Sequence, residues 1–211
     1  NDIPVGRYII HEDFSSAHVG DASLHISGEG EVEVTNGETE TATITNEYTQ
    51  YKGNLTISKK VEGYTFAAGK TFDVTVSDPA AGKYVDKDGN ISYTKVTIAV
   101  PADGSVTIKD IPVGMYSVRE DKTGAEVTNY GLVVSGEGGV SVTKDTTATA
   151  TITNTYTQDK GSLTIKKEVE GYTFTSGKTF DVTVTNEAGK YLTADGTFSD
   201  TEVTIPVSAN G

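Results

Sequence analysis

TATITNEYTQYKGNLTISKKVEGYTF at residues 41–66 returns as TATITNTYTQDKGSLTIKKEVEGYTF at residues 149–174, and this self-match governs the reading of the whole chain. The offset from Asn46 to Asn154 is 108 residues, and the same offset carries Asp2-Ile3-Pro4-Val5-Gly6 onto Asp110-Ile111-Pro112-Val113-Gly114. The chain is therefore a tandem repeat. Residues 1–50 read as the C-terminal part of one copy, 51–158 as a complete copy and 159–211 as the N-terminal part of another. A unit of roughly 100 residues can bury its own core, unlike the shorter units of solenoids.

Working outward through the complete copy, apolar residues alternate with polar ones. Leu55 and Ile57 are followed by Phe72, Val74 and Val76, by Val96, Ile98 and Val100, and by Val106 and Ile108. The alternation resumes at Tyr116 and Val118, Leu132 and Val134, Val140 and Val142, and Ala148, Ala150 and Ile152. A period of two is the signature of strands with one buried face. Turn residues punctuate the runs at Ala80-Ala81-Gly82, Asp88-Gly89-Asn90, Asp103-Gly104, Pro112-Val113-Gly114 and Glu137-Gly138-Gly139. No segment of this copy carries a helical period. The pattern predicts an all-β protein of tandem immunoglobulin-like antiparallel β-sandwich domains. Six residues separate Tyr48 from Leu55 and Tyr156 from Leu163, so successive domains are expected to be joined stiffly.

Composition removes several classes of function. Lys and Arg number 17 against 30 Asp and Glu, a net charge of −13 that repels nucleic-acid phosphates. No apolar run is long enough to span a bilayer, so no membrane insertion is expected in this segment. Cysteine is absent, which excludes disulfides, thiolate nucleophiles and thioesters. The only histidines, His11, His18 and His25, lie outside the complete copy, so a nucleophile–His–acid hydrolase is not expected there. Asp86-Lys87-Asp88-Gly89-Asn90 has the opening of a calcium loop, but no bidentate Glu follows at the expected distance, and a hairpin turn is the better reading. Thr49-Gln50 and Thr157-Gln158 sit in the connectors rather than facing each other across a sandwich. No cofactor or metal is expected.

Three polar residues fall on the wrong face. Lys59 continues the inward series Leu55, Ile57, and Lys167 does the same after Leu163 and Ile165. Glu120 shares a face with Tyr116 and Val118, as Glu12 does with Tyr8 and Ile10. Asn154 shares a face with Ala150, Ile152 and Tyr156, as Asn46 does with Ala42, Ile44 and Tyr48. Each of these groups is costly to bury alone and is expected to meet the others. Burial disfavours the charged form of both a lysine and a glutamate, leaving a neutral amine beside a neutral acid. The amine can attack the Asn carboxamide, with the Glu polarising the carbonyl and relaying protons as ammonia leaves. The expected product is a Lys–Asn isopeptide bond.

The stretches Gly-Ser-Leu-Thr-Ile-Lys-Lys-Glu-Val-Glu-Gly at 161–171, Ile-Pro-Val-Gly-Met-Tyr-Ser-Val-Arg-Glu at 111–120 and Ala-Thr-Ile-Thr-Asn-Thr-Tyr at 150–156 together resemble the isopeptide-linkage domains of Gram-positive pilins and adhesins, of streptococcal pilin type and close to collagen-adhesin B-type repeats. The resemblance covers essentially the whole chain. It implies a sandwich whose first and last strands are joined from Lys59 to Asn154 with Glu120 assisting. It also implies a structural stalk or shaft module of an extracellular, cell-surface adhesin or pilus, whose partners are neighbouring repeats or protomers of the same fibre. It implies no turnover enzyme. The alternative is a ligand-binding adhesin module recognising a host protein or carbohydrate. Lys167 on the one side, and Glu12 with Asn46 on the other, have two possible partners: residues of a longer chain, or the matching half of a neighbouring molecule.

Overall fold

The computed structural model describes residues 3–209, and they divide into two compact units after Asp159. Where β-branched and aromatic residues alternate with polar ones, the chain is in strand, and each strand has one apolar face that another sheet must cover.

The first unit opens with four strands, β1 (Gly6–Ile10), β2 (Ala22–Ser27), β3 (Gly30–Val34) and β4 (Thr45–Gln50), paired antiparallel as β1 with β3 and β2 with β4. A four-residue helix, α1 (Phe14–Ala17), follows β1. Asp13 caps it, its carboxylate accepting the Ser15 N–H. This short helix carries no periodic signal in the sequence.

The complete copy continues with β5 (Lys52–Glu62), β6 (Thr71–Asp78), β7 (Lys83–Val85), β8 (Ile91–Ser92), β9 (Ile98–Pro101), β10 (Ser105–Pro112), β11 (Gly114–Glu120), β12 (Tyr130–Ser135), β13 (Gly138–Val142) and β14 (Thr147–Gln158). One sheet has the order β10-β5-β14-β12; the facing sheet runs β13-β11-β6-β7-β8, with β9 also on β6. Leu55, Ile57, Ile108, Ile111 and Ile152 of the first sheet pack against Val74, Val76, Val85, Ile98, Val100, Tyr116, Val118 and Val142 of the second. The sandwich is the expected one, with one difference. β5 and β14, the first and last strands, pair in parallel, Lys59 opposite Ile152 and Val61 opposite Asn154. A parallel pair needs a long crossover, and here the rest of the domain supplies it.

Several local devices hold this order. Ile111 is fully buried although strict alternation after Ile108 would turn it outward. A register shift between Ile108 and Ile111, with Asp110 at φ 55°, returns it to the core. The chain crosses from β12 to β13, and so between sheets, through Gly136 at φ 81°, where a Cβ would stand 1.9 Å from the Thr151 carbonyl oxygen. The Tyr116 hydroxyl donates to the Pro112 carbonyl at 2.8 Å, and Tyr8 repeats the tie to Pro4 at 2.6 Å. Such a tyrosine corner is a recurrent feature of immunoglobulin-like sandwiches.

The first connector is shorter than six residues of coil. Only Tyr51 separates β4 from β5; its N–H donates to the Asp21 carbonyl and its own carbonyl accepts from the Val113 N–H. Both polar groups of its peptide backbone are thereby tied, one on each side of the junction.

The second unit contains β15 (Thr179–Val182) paired with β18 (Ile205–Ser208), and β16 (Tyr191–Leu192) paired with β17 (Phe198–Ser199). These correspond to β6 with β9 and β7 with β8. Residues 160–178 form no strand, contrary to the expectation from Leu163, Ile165, Lys167 and Val169. In the complete copy that segment is β5, held on one edge by β10 and on the other by β14. Residues 160–209 contain no counterpart of either, so the segment has no ladder to join and Leu163 is 63% exposed.

Ile152, at the centre of β14 and fully buried, is the most direct test of this packing. Ile152→Ala should lower stability by about 2–5 kcal/mol, measured by denaturant unfolding of the whole chain. A loss below about 0.5 kcal/mol, the range of exposed sites, would contradict the assigned core.

Candidate functional site

β5 brings Lys59 to the inner face of its sheet beside Leu55 and Ile57, and β14 brings Asn154 to the same face two residues beyond Ile152. Glu120 closes β11 in the facing sheet, following Tyr116 and Val118. The side chains of Lys59 and Glu120 have no exposed surface, and Asn154 is fully buried. Lys59 Nζ lies 3.1 Å from Glu120 Oε2, and Asn154 Nδ2 donates to Glu120 Oε1 at 2.7 Å. Glu120 is the hub, with one oxygen facing the amine and the other the carboxamide.

The remaining contacts are weak. Lys59 Nζ reaches the carbonyls of Lys60 and Ile152 at 3.4 Å each and stands 4.7 Å from the centre of the Phe72 ring. The contact with Glu120 Oε2 has the distance of an ion pair without the alignment of a hydrogen bond. Among the described residues, neither Glu120 Oε2 nor Asn154 Oδ1 has an aligned hydrogen-bond partner. Glu120 Oε2 is compensated by the Lys59 amine, whereas Asn154 Oδ1 is a buried acceptor left without a partner, at a cost of roughly 1–3 kcal/mol.

Burial pushes the Lys59 amine below its ordinary range. The short contact with the Glu120 carboxylate, its charge, and the more distant charges of Asp103 and Glu137 oppose the shift without cancelling it. The Tyr156 phenol is pushed up, first by burial; Asn154 opposes this through its hydrogen bond and the Glu120 charge adds to it.

One expected contact differs. Glu120 meets the carboxamide at its nitrogen, not at its carbonyl oxygen. A carboxylate oxygen that accepts hydrogen bonds pairs with the N–H end of the amide. In this arrangement the Glu120 carboxylate faces the amide nitrogen and leaves the carbonyl oxygen unpolarised.

The partial copies hold parts of this arrangement. Asn46 Nδ2 donates to Glu12 Oε1 at 2.6 Å, reproducing the Glu–Asn contact. Lys167 is not buried as its position in the alternation implies. It donates to the Glu168 carbonyl at 2.7 Å and stands 5.0 Å from the Phe180 ring centre, as Lys59 stands over Phe72. Among the described residues of its unit, no Glu–Asn pair faces it.

Two features have no counterpart in the sequence reading. The Glu137 carboxylate accepts the Glu120 N–H at 2.8 Å, and Glu29 does the same for Glu12 at 2.7 Å. The signal was present as Ser-Gly-Glu-Gly at both 27–30 and 135–138. The second is an aromatic cover over the triad: Phe66 packs on Phe72 and Tyr156, and Tyr64 on Phe66, Tyr130 and Tyr156. The Asp86 carboxylate is occupied by its own turn, accepting from the backbone N–H groups of Asp88 and Asn90 and from the Asn90 side chain.

The family model described as a domain of unknown function (DUF5979) matches residues 55–157, nearly all of the complete copy. No curated protein matches the chain in sequence. Among solved structures, the chain is similar to the minor pilin GBS52 of the gram-positive pathogen Streptococcus agalactiae. That match has 15% identity and a TM-score of 0.42, covering 70% of this chain and 65% of that one. The Bacillus anthracis TIE protein matches at 18% identity and a TM-score of 0.41, with 88% of this chain and 33% of that chain covered. A Streptococcal ancillary pilin matches at 19% identity and a TM-score of 0.36, with 97% and 60% covered. The chain thus spans between about a third and two thirds of the length of these structures.

The depressed Lys59 amine gives a pH test in chains carrying Asn154→Ala, where amide exchange is impossible. Between the lowered folded value and the ordinary 10.5, the unfolded chain binds the proton that the folded chain has released. Stability therefore rises with pH across that window, by at most about 1.4 kcal/mol per pH unit. Relative to a chain with Asn154→Ala and Lys59→Met, the Asn154→Ala chain should gain stability as pH approaches 10.5. A constant difference in denaturant unfolding would contradict the assigned shift.

Proposed function

We propose that the complete copy is a load-bearing module of a bacterial surface stalk or pilus shaft, closed by a self-formed isopeptide bond from Lys59 to Asn154. The observation that carries this reading is the contact of a buried amine, carboxyl and carboxamide across the first and last strands of the sandwich. The sequence resemblance to isopeptide-linkage domains supports it.

In the reaction, the neutral Lys59 amine attacks Asn154 Cγ. The new Nζ–Cγ bond forms, the Cγ–Nδ2 bond breaks, and Nδ2 leaves as ammonia. Glu120, starting as the carboxylate that accepts the Asn154 N–H, takes one proton from the attacking nitrogen and hands that proton to the departing nitrogen, so it ends as it began. Because the fold holds the three groups together, the entropy of bringing reactants into contact is already lost before the chemistry starts. The product stays within the domain, so the event occurs once and is not enzymatic turnover.

The mechanical consequence follows from the parallel pairing of β5 and β14. Tension entering at Lys52 and leaving at Gln158 slides these neighbours past one another. A covalent bond between them carries that load. It also closes a loop of nearly the whole domain, restricting the unfolded chain by about 4–5 kcal/mol on the chain-entropy estimate for long cross-linked loops. In this reading the module is extracellular and its partners are neighbouring repeats or protomers of one fibre. A host-ligand role has no comparable observation in its favour.

Intact-mass measurement on the 211-residue chain tests the chemistry. The purified chain should be lighter by one ammonia. Lys59→Ala and Asn154→Ala should each restore the full mass, and Glu120→Gln should slow the loss by about 10²–10⁴-fold. Full mass in the unaltered chain would refute the cross-link.

A further inference from the structure

The orientation of the Asn154 carboxamide does not depend on the lysine. In the N-terminal partial copy, Asn46 points its nitrogen at Glu12 at 2.6 Å although no lysine stands at the position of Lys59 among the described residues. In both copies a tyrosine two residues further along the strand is tied to the segment after the glutamate. The Tyr156 hydroxyl donates to the Ala125 carbonyl at 2.6 Å, and the Tyr48 hydroxyl donates to the Ala17 carbonyl at 2.8 Å. The Tyr156 oxygen also lies 3.5 Å from Asn154 Nδ2, in a buried site where Asn154 Oδ1 has no aligned partner.

A phenol has one proton and two lone pairs. With its proton committed to Ala125, the Tyr156 oxygen presents only lone pairs to Asn154. Turning the carboxamide over would place Oδ1 against that oxygen and against Glu120 Oε1, two acceptors with no proton between them. We infer that Tyr156 is a positioning residue of the cross-linking step, holding the Asn154 amide so that the leaving nitrogen, and not the carbonyl oxygen, faces the Glu120 carboxylate. The burial that raises the phenol's pKa keeps its proton in place at neutral pH. The Ala125 tie also fastens the loop after β11 to β14. Lys70 grips that loop a second time, donating to the Gly124 carbonyl at 2.7 Å. The hydroxyl therefore cannot turn away without opening a loop that is fixed at two points.

This inference rests on the cross-link reading, and the test separates the two. Tyr156→Phe keeps the ring in the aromatic cover and removes only the hydroxyl. Freshly translated chains, followed by intact mass over time, should lose ammonia about tenfold more slowly with Tyr156→Phe than without, a factor of the size one weak hydrogen bond supplies. The comparison is made well below the unfolding temperature of both chains, so that a change in folded fraction cannot produce it. A second readout uses chains carrying Lys59→Ala, which cannot react. There, Tyr156→Phe should move one of the two Asn154 side-chain amide proton resonances and leave the Glu120-bonded one in place. Equal rates of ammonia loss, or an unmoved Asn154 resonance, would overturn the role of Tyr156 and leave the cross-link standing. Full mass in the unaltered chain removes both.

Discussion

The contact of Lys59, Glu120 and Asn154 inside the apolar layer is the constraint on which the rest of the domain depends. Two charged-type side chains with no exposed surface lie 3.1 Å apart, and removing one partner of such a pair costs about 3–5 kcal/mol. An apolar trio of similar volume would hold the sheets together at least as well, so stability alone does not explain these residues. Their arrangement has a chemical consequence. It sets an amine of lowered basicity on the first strand and a carboxamide on the last against one carboxyl on β11 between them.

Comparison of the copies shows how the arrangement is assembled. The C-terminal part of a copy orders the Glu–Asn contact and the tyrosine tie by itself, as Glu12, Asn46 and Tyr48 show. The N-terminal part places its lysine over a phenylalanine, as Lys167 does over Phe180. Phe174 meets Phe180 at 5.5 Å, where Phe66 meets Phe72 at 5.6 Å. Each half is locally arranged, but burial of the lysine appears only in the complete copy, where β5 has neighbours on both edges. Desolvation of the amine is thus a property of the closed sandwich, whereas orientation of the carboxamide belongs to one half of it.

Much of this could be read from residue order because its physical cause is local. Period-two alternation placed Lys59, Glu120 and Asn154 on inner faces, and burial cost required them to meet. The failures have equally specific causes. Ile111 reaches the core only through the irregularity at Asp110, which breaks the alternation. The parallel pairing of β5 with β14 depends on topology, to which alternation is blind. Lys167 lies in the same local sequence as Lys59, but strand formation there needs neighbours that are not among the described residues of its unit. The nitrogen-facing contact of Glu120 and the role of Tyr156 depend on hydrogen-bond direction, which residue types alone do not specify. Glu137 and Glu29 lie in a repeated Ser-Gly-Glu-Gly and were the most recoverable of these omissions.

The central claim is that the first and last strands of the complete copy are covalently joined at one pair of side chains. Proteolytic digestion of the denatured chain followed by fragment sequencing in a mass spectrometer tests it directly. The account predicts a branched peptide in which the segment containing Lys59 is linked through Nζ to the segment containing Asn154, one ammonia lighter than the two segments together. Recovery of the two segments only as separate, unmodified linear peptides would contradict it.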